Sequence, residues 1–171
     1  MKNRIVLVAA LLVLFLLPLS VSAKPSKATV TKSYTTYRKK EGITRYKLVD
    51  IDNNGIQEMI YYRRFQCGFC TYDAKKKNVL PLAEVEVGHS IPFAYYSTKK
   101  HTVILYTLTT KTSDTFEYLL SGKKISLQTH LVYDNTERGG AKYYINGKKV
   151  SQKKNAKWWN KVKKTYTKVS F

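Results

Sequence analysis

The chain has 171 residues and a formal net charge of +20, because 31 Lys and Arg stand against only 11 Asp and Glu. A chain of this length is ordinarily one domain with a core of its own, which argues against a multidomain architecture. The charge bears on partners more than on fold: it favours attraction to polyanions, unless the lysines only keep the protein in solution.

Residues 1–23 have the pattern of a secretory signal peptide. Lys2 and Arg4 precede an uninterrupted apolar run over 5–17, and small residues follow this run. The run is too short for a spanning helix, which needs about 20 apolar residues. We therefore predict cleavage after residue 23, a single secreted domain over 24–171, and no transmembrane segment in the mature chain. Outside the cell, anionic cell-wall polymers and acidic glycans are the expected partners, whereas a role with nucleic acid is not expected.

The first predicted elements of the secreted domain are a helix and a strand. The stretch TKSYTTYRKKEG, over 31–42, predicts a short helix whose end is marked by Gly42. Its threonines lower the intrinsic helix propensity. The stretch RYKLV, over 45–49, has strand-like residues and leads into a segment with unusual acidic spacing.

That segment, KLVDIDNNGIQEMIYY over 47–62, predicts a calcium-binding loop between two strands. Calcium prefers about six to eight oxygen ligands, many of them carboxylate. Acidic or amide side chains stand at loop positions 1, 3 and 5, Gly55 allows a sharp turn at position 6, and a third carboxylate follows at position 9. The predicted ligands, with a backbone carbonyl at position 7, are Asp50, Asp52, Asn54, Ile56 and Glu58.

The first half of this loop resembles an EF-hand, but Tyr61 stands at position 12, where the EF-hand has a glutamate, and the flanks are strands. The loop more closely resembles the D-x-D-x-[DN]-G-x-x-[DE] loops of FG-GAP and VCBS-type repeats, which lie between two β-strands and bind calcium. The wider segment is also similar in style to small secreted bacterial proteins with one such loop. The resemblance implies calcium as the cofactor and Asp50, Asp52, Asn54 and Glu58 as ligands. From the residues alone, the alternative is an Asx-rich hairpin turn without metal.

The motif CGFC contains the two cysteines of the chain, Cys67 and Cys70. A redox C-x-x-C sits at a helix N-terminus, whereas the residues that follow this motif predict a hairpin. Zinc would need further ligands, and the histidines of the chain show no paired spacing. A local disulfide is therefore the favoured prediction for an oxidising exterior, with a redox site, a metal site or free thiols as the alternatives.

Four stretches repeat one pattern, in which a tyrosine is followed by a turn with adjacent lysines and then by a β-branched residue. The tyrosines recur at spacings of 24, 22 and 25 residues, as expected of repeated supersecondary units. They are Tyr72, Tyr96, Tyr118 and Tyr143. Asn146-Gly147 is a strong two-residue hairpin signal, and Ser121-Gly122 is a weaker one. We predict that the turn lysines gather on one side of the sheet and bind polyanions. These are Lys76, Lys77, Lys99, Lys100, Lys123, Lys124, Lys148 and Lys149.

The fold class predicted from these elements is mainly β. It is an antiparallel meander of successive hairpins, arranged as a sandwich, a barrel or a propeller-like sheet. After the hairpins, QKKNAKWWNKVKKTYTK over 152–168 places Trp159, Val162 and Tyr166 on one helical face. We interpret this segment as an amphipathic helix that covers the sheet, with a membrane-surface helix as the alternative.

Glu84 and Glu86 are the candidate catalytic pair. They lie two positions apart on a predicted strand near His89, and paired carboxylates can hydrolyse glycosides. Alternation along a strand gives the same spacing to a solvent-facing row. The predicted function is a secreted, calcium-stabilised, non-catalytic module that associates with anionic cell-surface polymer or glycan. The alternative is an extracellular hydrolase that uses this pair, or a thiol oxidoreductase that uses Cys67 and Cys70.

Overall fold

The computed structural model describes residues 24–87, 93–136 and 139–171, so the predicted signal peptide and His89 lie outside it. Within these ranges, two helices flank two antiparallel sheets. The helices are α1 (Lys27–Glu41) and α2 (Gln152–Thr165). The first sheet contains β1 (Arg45–Val49), β2 (Glu58–Arg63), β3 (Gln66–Asp73) and β4 (Asn78–Glu86) in that order. The second contains β5 (Phe93–Ser97), β6 (Thr102–Leu108), β7 (Thr112–Ser121), β8 (Lys124–Asp134), β9 (Lys142–Ile145), β10 (Lys148–Val150) and β11 (Thr167–Ser170).

The predicted antiparallel meander is confirmed. The order of the seven-stranded sheet is β10-β9-β8-β7-β6-β5-β11, so its strands follow the chain except for β11. The repeated tyrosines lie in the first strands of their hairpins, and Tyr72 and Tyr96 face Val79 and Val103 across the ladder. In the third hairpin, a register shift in the β7–β8 pairing moves Leu127 opposite the tyrosine. Among the described residues, neither sheet closes into a barrel.

The two sheets pack face to face, so the arrangement is a sandwich. Alternating side chains of each sheet meet in an inter-sheet core, in which Ile60, Phe69, Val103 and Leu105 are fully buried. The opposite face of each sheet is covered by a helix. The result is a four-layer molecule, helix on sheet on sheet on helix, in which both faces of the central strands are buried.

Helix α1 covers the four-stranded sheet. It begins four positions before the predicted stretch over 31–42 and ends at the predicted place. The Ser26 hydroxyl accepts a hydrogen bond from the Thr29 N–H at 3.2 Å, which caps the first turn. Gly42 adopts a left-handed conformation after the last turn, as the sequence predicted. Buried Val30 and Tyr34 pack against the outer face of β2 and β3.

Helix α2 covers the seven-stranded sheet, which confirms the interpretation of its aromatic stripe as a core-facing one. Val162 is buried, and the Trp159 ring lies 6.0 Å from the Tyr95 ring, measured between centroids. Tyr166 is also buried, but it lies just beyond the last helical residue. Neither α1 nor α2 is long and apolar enough to cross a membrane, and the described residues contain no other helix.

The helix is shorter than the sequence predicted, because residues 167–170 form the additional strand β11 against β5. Val169 points into the inter-sheet core and is nearly buried, while its neighbours in the strand are exposed. This alternation is the strand period, and it replaces the helical period at the point where Tyr166 leaves the helix. Phe171 then stacks on Tyr62 of the opposite sheet, with ring centroids 6.2 Å apart.

The predicted disulfide is not formed, since Cys67 and Cys70 are separate buried thiols. Both residues lie within β3, three positions apart, and alternation along a strand sends them to opposite faces of the sheet. Cys67 belongs to the inter-sheet core and Cys70 to the core under α1. A bond between them would need β3 to bend, whereas its register with β2 is continuous through both cysteines, and the irregularity between Phe69 and Cys70 is confined to its pairing with β4.

Candidate metal site

The acidic loop connects β1 and β2 and is fixed between the two sheets. Its ends are adjacent, because Val49 and Glu58 are partners in the ladder. Ile51, between the first two aspartates, is fully buried in the inter-sheet core and anchors the loop there. The predicted sharp turn is present, with a φ of 80° at Gly55, a conformation that glycine adopts without the strain a side chain would add.

Three of the predicted ligands converge. One carboxylate oxygen from each of Asp50, Asp52 and Glu58 lies within 4.8 Å of the other two. Calcium–oxygen distances are about 2.3–2.6 Å, so ligands on opposite sides of one ion lie roughly 4.6–5.2 Å apart. The three oxygens are therefore close enough together to coordinate one metal ion.

The two oxygens of Asp50 have different surroundings. Asp50 Oδ2 accepts a hydrogen bond from the Gly55 N–H at 2.8 Å. Asp50 Oδ1 is buried and has no hydrogen-bond partner in the described part of the chain. A buried polar atom without a partner destabilises a fold by about 1–3 kcal/mol, so such an atom in a native structure needs a physical explanation. A bound cation would satisfy this oxygen.

Glu58 is a fully buried carboxylate at the base of the loop. Its Oε2 accepts from the Ile51 N–H at 2.9 Å, and its Oε1 accepts from the Thr71 hydroxyl at 3.0 Å. Burial raises the pKa of Glu58 to about 7, the two hydrogen bonds oppose that rise, and the charges of Asp52 and Asp50 add to it. A divalent cation beside the three carboxylates would reverse the penalty, because it favours the ionised form.

The other two predicted ligands have different roles in the structure. Asn54 Oδ1 accepts from the Ile56 N–H at 2.7 Å, which is the Asx turn that the metal-free alternative requires. The Ile56 side chain packs against the core under α1. The Asx turn accounts for Asn54, but it does not account for the buried free oxygen of Asp50. Asn54 and the Ile56 carbonyl remain predicted ligands.

The loop also binds the second sheet. Asp52 Oδ2 accepts from the Gly122 N–H in the β7–β8 turn at 2.6 Å, and Asn53 Nδ2 donates to the Thr98 carbonyl in the β5–β6 turn at 3.1 Å. Gly122 and Thr98 were not predicted from the sequence as partners of the loop. Gly122 lies 70 positions from Asp52, so no local pattern could have indicated the contact.

Three of the four lysine-bearing turns lie at the end of the sandwich that carries the acidic loop. Besides the two turns just described, the β3–β4 turn is brought there by Asp73, whose Oδ2 lies 2.9 Å from Lys123 Nζ. A pocket of about 220 Å³ lies between the loop and the turns after β3 and β7. Six of the predicted polyanion-binding lysines therefore lie at this end, and Lys75 stands in the same turn as the first two of them. The six are Lys76, Lys77, Lys99, Lys100, Lys123 and Lys124.

The fourth turn lies elsewhere. Asn146 in the β9–β10 turn donates its N–H to the His130 carbonyl at 2.8 Å, in the middle of β8. His130 is six positions from Lys124, where β8 leaves the loop end, so this turn is displaced by roughly 17–20 Å along the strand. Lys148 and Lys149 are therefore not part of the basic end formed by the other six lysines.

The candidate catalytic pair is not a free pair of carboxylates. Glu84 accepts from the Tyr61 hydroxyl at 2.7 Å and forms a salt bridge with Arg63 at 3.1 Å. Glu86 is exposed at the end of β4. The Tyr61 ring reaches Glu84 by lying across Gly68, where a Cβ would come within 2.9 Å of the tyrosine Oη and 2.8 Å of the Ala83 carbonyl oxygen. The carboxylate that a hydrolase would use thus has a structural role.

The surroundings of Cys67 and Cys70 are the opposite of those that make a thiol reactive. Burial raises the pKa of Cys67 to about 12, and the charge of Glu84 adds to the rise. Burial also raises the pKa of Cys70. A thiol that attacks disulfides or binds metal needs a lowered pKa and access to solvent. Nothing in these surroundings favours the thiol oxidoreductase alternative.

Comparison of the chain with protein families, with curated proteins and with solved structures gave no significant match. The fold and the site together define a helix-flanked β-sandwich with an acidic loop between its sheets.

Proposed function

We propose that this protein is a secreted, non-catalytic module that is stabilised by calcium and associates with anionic cell-surface polymer or glycan. The observation that carries the calcium part is the buried oxygen of Asp50, which lacks a partner and lies beside the carboxylates of Asp52 and Glu58. Secretion rests on the signal-peptide pattern of residues 1–23.

Calcium would supply positive charge and oxygen coordination at a loop that joins the two sheets. Asp52 and Asn53 of that loop hydrogen-bond turns of the seven-stranded sheet, while its ends belong to the four-stranded sheet. Fixing the loop would therefore fix one end of the sandwich. This is a stabilising role, and it requires no catalytic group.

The test of the calcium site is a thermal melt of the wild type and of Asp50→Asn, with calcium or with a chelator. Asparagine can still accept from the Gly55 N–H, so the variant removes charge with little change in the loop. Extracellular modules bind calcium at about 10⁻⁴–10⁻³ M, and calcium at about ten times Kd stabilises the folded state by about 1.4 kcal/mol. The wild-type Tm should then rise by about 3–5 °C.

The control is Asp134→Asn, which removes an equal charge outside the loop, where Asp134 Oδ1 accepts from the Thr136 N–H at 2.9 Å. This variant should keep the full calcium response. An equal rise in Tm for wild type and Asp50→Asn would refute the site, and so would a wild type that melts alike in calcium and in chelator.

The polymer part of the proposal is supported by the net charge, which is +20 for the full chain and +18 once Lys2 and Arg4 are removed with the predicted signal peptide. Binding by lysines releases counterions, so retention on an anionic polymer should fall steeply with salt. A wild-type protein that is not retained at about 50 mM salt, or whose retention does not fall as the salt concentration is raised, would contradict the polymer part and leave the calcium part standing.

A further inference from the structure

Helix α2 carries a row of lysines on the side that faces away from the sheet core. They stand at offsets of 0, 3, 7 and 10 along the helix, a spacing that places them on one face. They are Lys154, Lys157, Lys161 and Lys164. Together with Trp158 and Ile145 of β9, they line a groove of about 540 Å³. Over ten residues, the row extends for about 15 Å.

The positive charge of this row is not balanced by the protein. The segment 152–165 has no acidic residue, and among the described residues none of the four lysines forms a salt bridge. Like charges three or four positions apart destabilise a helix by about 0.2–0.5 kcal/mol per pair. The row therefore destabilises α2 unless an external anion compensates it.

The groove fits a polymer better than a membrane. The apolar face of α2, with Trp159 and Val162, is buried against the sheet. A helix that binds at a bilayer surface needs such a face to insert among the lipids. What α2 leaves open is a basic groove around a half-buried Trp158, whose indole can stack on a ring or a chain unit of a ligand.

The groove continues toward the basic end of the sandwich. Thr165, at its far end, has its hydroxyl 3.4 Å from the Nζ of Lys100 in the β5–β6 turn. Lys100 Nζ also lies 4.5 Å from the centre of the Tyr166 ring. A chain lying along α2 would thus pass from the lysine row to Lys100.

We propose that the groove on α2 binds a linear polyanion that carries phosphate or carboxylate groups along its length. The lysine row pairs with successive anionic groups, and Trp158 packs against the chain between them. This inference rests on the proposed association with anionic polymer, and it assigns that association to α2 rather than to the hairpin turns.

The experiment measures the Kd of the full secreted domain for two labelled probes, linear polyphosphate and polygalacturonate, by fluorescence anisotropy over a range of salt. The groove variant replaces the four lysines of the row with glutamine, a good helix former. The matched control replaces Lys75, Lys76, Lys77 and Lys124 with glutamine, which changes the charge equally and leaves the salt bridge between Lys123 and Asp73 in place. Thermal melts verify that both variants are folded.

We expect the groove variant to raise Kd about tenfold or more and to flatten the salt dependence by about three to four released ions, while the control changes Kd less than about threefold. Comparison of the two probes shows whether phosphate or carboxylate is preferred. Greater loss in the turn variant, or equal loss in both, would overturn the assignment to α2 while leaving polymer binding intact. No binding of either probe by the wild type would overturn the polymer part of the proposed function as well.

Tryptophan fluorescence gives a second readout that a uniform charge effect would not produce. The chain has two tryptophans. Trp159 is packed against Tyr95 and Tyr106, and Trp158 contacts Trp159 edge-on with ring centroids 5.1 Å apart, so a spectral change on binding should originate at Trp158, which lines the groove. The Trp158→Phe variant should lose most of that change. If Trp158→Phe retains it, or if the wild type binds vesicles of anionic lipid with a blue shift but neither polymer, the inference is wrong.

Discussion

Glu58 makes the stability of the metal-free protein depend on pH. Its carboxyl has a pKa of about 7 in the folded protein, mainly because it is buried, against an ordinary value of 4.5. Each unit of difference corresponds to about 1.4 kcal/mol, so the shift corresponds to about 3 kcal/mol of unfolding free energy. The folded state holds this proton more tightly than the unfolded state does. The contribution is therefore fully present below about pH 4.5 and is lost as pH rises through about 7.

The assay is urea unfolding in chelator at about pH 5, 6 and 7.5, for the wild type and for Glu58→Gln. Glutamine keeps the shape and cannot ionise, so its unfolding free energy should lack the loss of about 2–2.5 kcal/mol that the wild type shows over this range. Calcium should remove most of the wild-type loss, because it favours the ionised carboxylate. Equal losses in wild type and Glu58→Gln would refute the assignment of this titration to Glu58.

Two further predictions concern β3. Gly68→Ala should lower the unfolding free energy by about 1–3 kcal/mol, since the new methyl group meets a carbonyl oxygen that cannot move away. Gly139→Ala, where a Cβ would have no neighbour within 4 Å, should stay within about 0.5 kcal/mol in the same urea experiment, and equal effects would contradict the steric argument. Cys67 and Cys70 should react with a thiol reagent only as fast as the protein unfolds, because both are buried and their pKa values are raised. Rapid labelling of native protein in a stopped-flow measurement would disprove this.

Features encoded within a few residues were predictable from the sequence. Gly42 ends α1, and Asn146 and Gly147 form the β9–β10 turn with φ values of 50° and 75°. Both features depend on the conformations that one or two residues prefer. The convergence of Asp50, Asp52 and Glu58 was also local, because a short loop between paired strands brings its own ends together.

Features that depend on distant partners were not predictable. The repeated pattern of tyrosines and turn lysines predicted successive hairpins, but it did not indicate that the chain changes sheets between β4 and β5. The strand β11 was missed, because its sequence continues the helical pattern of α2 and only the edge of β5 makes it a strand. The disulfide prediction requires Cys67 and Cys70 to be adjacent in space, whereas the pairing with β2 and β4 holds CGFC within a central strand with one cysteine on each face.

The pairing of β11 with β5 also means that the seven-stranded sheet can be completed only late in the synthesis of the chain. Thr167 lies 70 positions after Ser97, so β5 lacks its second neighbouring strand until almost the whole domain has been synthesised. During that interval, one edge of the aromatic-rich strand FAYYS is unpaired. Unpaired edge strands can form a sheet with another copy of the chain and so promote aggregation. Long-range pairings of this type also form slowly. A nascent chain released before residue 167 would therefore be prone to aggregate. The proposed secretion, with the chain crossing the membrane unfolded, would delay this risk until the chain has reached the outside of the cell.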